Sequence, residues 1–211
     1  CEMCIRDSMS VAEFYDANLN QHQKSLEFKL KAYDIRIRLF GSDNRDHAEI
    51  AQSLNSIGVS YNKLNQHQTA LTFKFNAYEM RKRLFGDRDH ADVAESLNDA
   101  GVSYSKLNQH QTALNFKLKA YEMRKRLFGD RDHADVAESL NNVGVSYSKL
   151  NQHETSLEYK LKAYEMRKRL HGDNRDHPSI RTCLSGIIFS YEKLNDLVNA
   201  NQYKSILNSF Q

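Results

Sequence analysis

From Val93 to Leu107 the apolar residues stand at Val93, Leu97, Ala100, Tyr104 and Leu107. Steps of four, three, four and three put them on one face of an α-helix. From Gln111 to Phe128 a stripe runs through Ala113, Phe116, Ala120, Met123 and Leu127, with a second beside it at Leu114, Leu118, Tyr121 and Phe128. Two adjoining stripes make the wide apolar face of a helix gripped from two sides. Asn108, between them, tolerates the left-handed conformation of a tight turn. Gly129 ends the second helix, and Arg124, Lys125 and Arg126 occupy its last turns, where the helix dipole favours cations. Asp89 is the expected cap of the first helix, with Asp92 three residues on. The pattern predicts a helix hairpin.

The hairpin recurs. Residues 133–172 repeat residues 90–129 with seven differences, and residues 47–86 repeat them with nine. The leucines before each turn, Leu19, Leu64, Leu107, Leu150 and Leu194, step by 45, 43, 43 and 44 residues. The variation falls between a glycine and a histidine, so the unit is constant and one connecting loop changes length. A period of this size marks a stacked array. Its units run about 9–46, 47–89, 90–132, 133–176 and 177–211. Residues 1–8 match nothing later and read as a foreign leader. Met9 and Ala12 keep the stripe of a worn first helix, in which Glu13 stands at the glycine position. In the fifth unit Ile188 replaces the glycine, Cys183 reads as a small core residue, and the second helix loses its stripe at Asn199, Asn201, Gln202 and Asn208. That ending fits either a polar cap or an array cut inside a longer one, and the incomplete first unit favours the cut array.

Leu97, Ala100, Gly101, Tyr104, Ala113 and Ala120 fall where the tetratricopeptide repeat places its large, small and aromatic residues. The long unit, with its Asp-His start and Ser139-Leu140-Asn141-Asn142 core, resembles the kinesin light chain subclass of that repeat. The likeness covers nearly the whole chain. It departs at His110 and Lys117, which stand in place of aromatics, and at the single proline, Pro178, at a helix start. The resemblance implies an all-α, right-handed α-solenoid of antiparallel helix hairpins, a superhelix whose first helices line the concave side. It also implies a binding scaffold, a role that leaves the partner open.

Composition narrows the function further. The 211 residues carry a net charge of +3, too small for a strong nucleic-acid binder. No apolar run approaches the ~20 residues needed to span a membrane. Three cysteines do not build a disulfide framework, which fits a reducing cytoplasm. Cys1 and Cys4 have metal-like spacing but no second pair. Eight of the nine histidines form two ladders one repeat apart, His22, His67, His110 and His153 at the turn and His47, His90, His133 and His177 at the helix start, too far apart to share an ion. His171 replaces a phenylalanine and reads as a surface change. The MRKR runs read as C-terminal charge facing acids such as Asp87, Asp89 and Asp92 of the next unit. No phosphate loop, GxSxG or Ser/His/Asp constellation occurs. The expectation is no catalysis, no cofactor and no metal.

With the buried stripe removed, the other side of the first helices carries Gln52, Asn55, Val59 and Lys63 in the second unit. The third has Glu95, Asn98, Asp99, Val102 and Lys106, and the fourth has Glu138, Asn141, Asn142, Val145 and Lys149. Lys193 continues the lysine row. An amide offers one acceptor and two donors, enough to pair with both groups of a peptide backbone. In kinesin light chain-like proteins, asparagines here hold such a backbone. The valines offer a small apolar floor. These residues are the expected peptide-binding groove, for an extended ligand with an apolar anchor and an acidic flank. An architectural or self-associating spacer, or a regulatory domain of a larger signalling protein, are the alternatives. Failing the groove, the second helices with Lys117 and Arg124 are the next surface to consider.

Overall fold

The structure is a computed structural model that describes residues 2–18, 21–40, 46–172 and 176–210. These form two compact units, Cys1–Asn108 and Gln109–Gln211, where the sequence pattern predicts one array over 9–211. The first holds α1 (Glu2–Asn18), α2 (His22–Phe40), α3 (Ala48–Lys63), α4 (His67–Phe85) and α5 (Ala91–Lys106). The second holds α6 (His110–Phe128), α7 (Ala134–Lys149), α8 (His153–His171), α9 (Pro178–Lys193) and α10 (Leu197–Asn208). Within each unit every helix packs on its sequence neighbours, and α7 also touches α9. The protein is thus an all-α stack of antiparallel hairpins. No helix among the described residues is long and apolar enough to cross a membrane.

The turns form as their asparagines require. Asn65, Asn108, Asn151 and Asn195 sit at φ of 57–60°, and Gln66 N–H reaches back to the Tyr61 carbonyl at 2.9 Å. That bond and the one from Asn65 N–H to Asn62 make a Schellman end, which satisfies otherwise orphaned carbonyls. Gly86, Gly129 and Gly172 close the second helices, also at positive φ. Close approach within a hairpin rests on a different glycine. A Cβ on Gly144 would stand 2.9 Å from Lys160 Cγ and 3.1 Å from the Ser156 carbonyl, and Gly58 meets Lys74 in the same way.

Several expectations change. The cap of α5 is His90 and not Asp89: His90 Nδ1 accepts the Asp92 N–H at 3.1 Å while its ring stacks on Phe85. His133 and His177 repeat the cap on Asp135 and Ser179. His171 is not a plain surface change, because it stacks on His177 with ring centroids 3.7 Å apart, in the place of Phe85 and Phe128. The leader is not separate from the first helix: α1 begins at Glu2, and Ile5 is buried. Gln21 N–H reaches the Tyr15 carbonyl, one position further back than Gln66 N–H reaches to Tyr61. Counting from that bond, Ala12, fully buried, takes the glycine position, and Glu13 is exposed. The register leucine Leu19 and Cys1 lie outside the described residues. On α10 the stripe persists as Tyr203, Ile206 and Leu207, which pack on the core of the second unit with Phe210.

The MRKR runs do two different jobs. Their first arginine turns inward and joins one hairpin to the next. Arg81 donates to the Asp92 carbonyl, Ser96 Oγ and Glu95 Oε2 at 2.9, 2.8 and 3.0 Å. Arg124 does the same to Asp135, Ser139 and Glu138, and Arg167 to Ser179 and Cys183 Sγ. The later arginine closes its own hairpin: Arg83 grips Asp46 with two bonds of 2.8 Å, and Arg169 grips Asp132. Arg124 and Lys117 are both buried, so neither offers a surface on the second helices.

Candidate peptide-binding groove

In the first unit the expected groove residues lie on α3 and α5, and three of the four charged ones are already engaged. Lys63 Nζ pairs with Asp16 Oδ2 at 3.1 Å. Burial alone would raise the Asp16 carboxyl, but hydrogen bonds from His22, Lys29 and Lys63 outweigh it and hold the group well below the usual carboxylate range. Glu95 answers Arg81, and Asp99 Oδ1 lies 3.8 Å from the buried Lys74 ammonium. Asn55 and Asn98 are buried, and Asn55 Oδ1 has no hydrogen-bond partner. Val59 and Val102 are half-buried. Lys106 is exposed, and so is Gln52, which faces a separate cavity beside α1 with Arg36 and Glu49.

The second unit gathers its groove residues around one open cavity of about 470 Å³ between α7 and α9. From α7 come Asn141, Val145, Ser148 and Lys149; from α9 come Thr182, Gly186, Phe189 and Lys193. Lys160 and His153 of α8 and Asn151 of the turn complete it. Asn141 is buried rather than open to solvent, and its Oδ1 accepts from Cys183 Sγ at 3.9 Å. Side-by-side packing of α7 and α9 covers the amide, which explains why a helix wheel places it on an open face. Val145 is 38% exposed and Phe189 44%. Glu138 turns away to Arg124, and Asn142 is half-buried. The cavity is therefore apolar in its exposed floor and, among the described residues, carries three amines and no carboxylate on its walls.

Two features here escaped the sequence pattern. Phe189 stands at the rung of Val145, 44 residues on, in the unit that diverges most. Lys160 belongs to a row of second-helix lysines, Lys29, Lys74, Lys117 and Lys160, all more than nine-tenths buried. The signal was present: Lys117 interrupts an otherwise apolar stripe. Burial pushes both Lys117 and Lys160 down to about 8. Lys160 Nζ donates to the Gly186 carbonyl at 3.1 Å and Ser190 Oγ at 2.9 Å. It also lies 5.7 Å from the Phe189 ring centre, and Lys193 Nζ lies 5.5 Å from it. In the fifth hairpin the row ends: Ile188 fills the glycine position and Lys204 pairs outward with Glu192. Among the described residues no group of three His, Cys, Asp or Glu side chains is placed to hold a metal ion.

The tetratricopeptide repeat profile matches residues 49–126 and again residues 136–179. No curated protein matches in sequence. Among solved structures, the kinesin light chain nearly identical TPR-like repeats of Podosopora anserina superpose with a TM-score of 0.80 at 16% identity, over 98% of this chain and 94% of that one. BtubC (BKLC) from P. vanneervenii superposes with a TM-score of 0.79 at 16% identity, over 99% and 87%. A Rap protein complexed with Competence and Sporulation Factor gives 0.76 at 13% identity, and this chain spans about half of it, 98% against 53%. By its repeats and its hairpin stack, this chain belongs to the tetratricopeptide repeat family, with long repeats like those of the kinesin light chain-like structures.

Proposed function

We propose that the chain is a non-catalytic protein-interaction module that holds a peptide or an extended partner segment along its first helices. The observation that carries this reading is the cavity between α7 and α9, where Val145 and Phe189 remain exposed beside Lys149 and Lys193. A solvated face has little use for two exposed apolar side chains on successive helices. An apolar side chain of the ligand sits on Val145 and Phe189, and an acidic residue lies toward the lysine edge. In the first unit Gln52, Asn55, Val59, Asn98, Val102 and Lys106 stand at the corresponding positions of their own repeats. Two structures of similar fold support a peptide as the ligand: the Rap protein complexed with Competence and Sporulation Factor, and the Rap conjugation gene regulator in complex with the Phr* peptide. Exposed charge pairs contribute only about 0–1 kcal/mol, so the lysines set orientation and on-rate more than affinity.

The test is selection of binders from a random peptide library on the full chain, followed by titration of the selected peptides against variants. Val145→Asp nearly abolishes binding, Phe189→Ala weakens it strongly, and Lys149→Ala weakens it modestly while reducing its salt dependence. If all three variants bind the selected peptides as the parent does, the groove is not the site. If the library yields no binder at all, the spacer reading takes its place.

A further inference from the structure

The buried lysines differ in what balances their charge. Lys29 has Asp16 at 3.0 Å, and Lys74 has Asp99. At the next two positions that face the row, Asp99 is followed by Asn142 and then by Gly186. Among the described residues Lys160 consequently finds only neutral acceptors, the Gly186 carbonyl and Ser190 Oγ. These occupy two of its three N–H groups. Cys183, the titratable neighbour below, is kept as a thiol because burial pushes it up. Of the acids on α7 and α9, Asp135 lies beside His133, and Glu138 and Glu192 are bound to Arg124 and Lys204. A buried ammonium without a counter-ion is costly, and here the missing side chain leaves an opening. The three atoms nearest the absent Cβ of Gly186 all belong to Lys160, its Nζ at 3.8 Å, and both residues line the cavity. Its walls add Lys149, Lys193, Ser148 and Thr182, all donors.

We propose that the cavity between α7 and α9 takes an anionic group of the bound peptide, a carboxylate or a phosphoryl group, as the counter-charge of Lys160, in the place that Asp99 fills for Lys74. The proposal rests on the groove reading above and makes it specific. The apolar side chain beside that anion covers Phe189, which removes water and strengthens the pair. Binding then draws a proton onto the partly neutral amine, so affinity for an acidic peptide falls as pH rises through about 8.

The experiment uses the full chain and peptides selected from the random library. Selected peptides share an acidic position next to an apolar one. Exchanging that Asp or Glu for its amide lowers affinity at least about tenfold, and exchange for phosphoserine tells a phosphoryl preference from a carboxylate one. Lys160→Met keeps the stem and loses the preference for acid over amide. Gly186→Asp supplies an internal counter-ion and loses it too, which covers the case that Lys160→Met does not fold. Calorimetry near pH 8 in buffers of different ionisation enthalpy registers proton uptake on the acidic peptide with the parent and none with either variant. If peptides bind on the Val145 face but acid and amide forms bind alike, or no proton is taken up, this proposal falls and the groove reading stands. If binding is insensitive to Val145→Asp, both fall.

Discussion

The ring of His90 lies flat on the ring of Phe85, with centroids 3.4 Å apart and planes 7° apart, while its Nδ1 accepts the Asp92 N–H. One side chain thereby ends the loop after α4 and starts α5. His90→Ala removes both the cap and the stacked face, and should cost about 1–2 kcal/mol. His90→Asn keeps an acceptor at the cap and should recover part of it. Urea denaturation of the three proteins measures this. Equal midpoints for alanine and asparagine would mean that the stack alone matters.

Gly144 allows Lys160 to pass under α7, its position lying 2.9 Å from Lys160 Cγ when a Cβ is added. Gly144→Leu should cost more than about 2 kcal/mol through overpacking. Alanine normally gains about 1 kcal/mol over glycine in a helix, and that gain should vanish at Gly144. A thermal melt in which Gly144→Ala is more stable than the parent would show that α8 has room to move.

The uncompensated lysines give stability an unusual pH dependence. Lys117 and Lys160 fall from their ordinary 10.5 to about 8 by burial. Between those values the unfolded chain keeps protons that the folded chain has released, so stability rises with pH across that window. Below about 8 both states are protonated and the penalty is constant. Burial also raises the phenols of Tyr33, Tyr159 and Tyr203. Above about pH 10 the unfolded chain loses those protons first, and stability falls again. Lys117→Met should therefore stabilise at pH 7, by roughly 2–3 kcal/mol, and flatten the rise. Urea midpoints across this range decide it, and a midpoint unchanged by Lys117→Met contradicts the assignment.

Hairpins, turns and repeat boundaries were legible because each depends on local spacing. Asn108 and Gly129 announced positive φ, and the stripe from Val93 to Leu107 announced a buried face. What the pattern missed depends on the partner across the interface. Asn141 looked solvent-facing because a helix wheel does not know that α9 lies beside α7. Glu95 and Glu138 looked like a groove edge because the arginine that each answers is 14 residues back, on another helix. Asp89 looked like a cap because histidine is an uncommon one, and only the stack on Phe85 fixes its ring. Lys160 was hidden by the habit of reading a lysine as exposed, although Gly186 opposite was a clue.

The site itself is tested most directly by where a bound peptide touches the chain. A library-selected peptide carrying a photoreactive phenylalanine at its apolar position is bound, irradiated and the cross-linked residues mapped by mass spectrometry. Cross-links are expected on α7 and α9, centred on Val145 and Phe189, and lost on competition with unlabelled peptide. Competable cross-links confined to the outward faces of the second helices, such as Lys162 and Glu165 of α8, would contradict it.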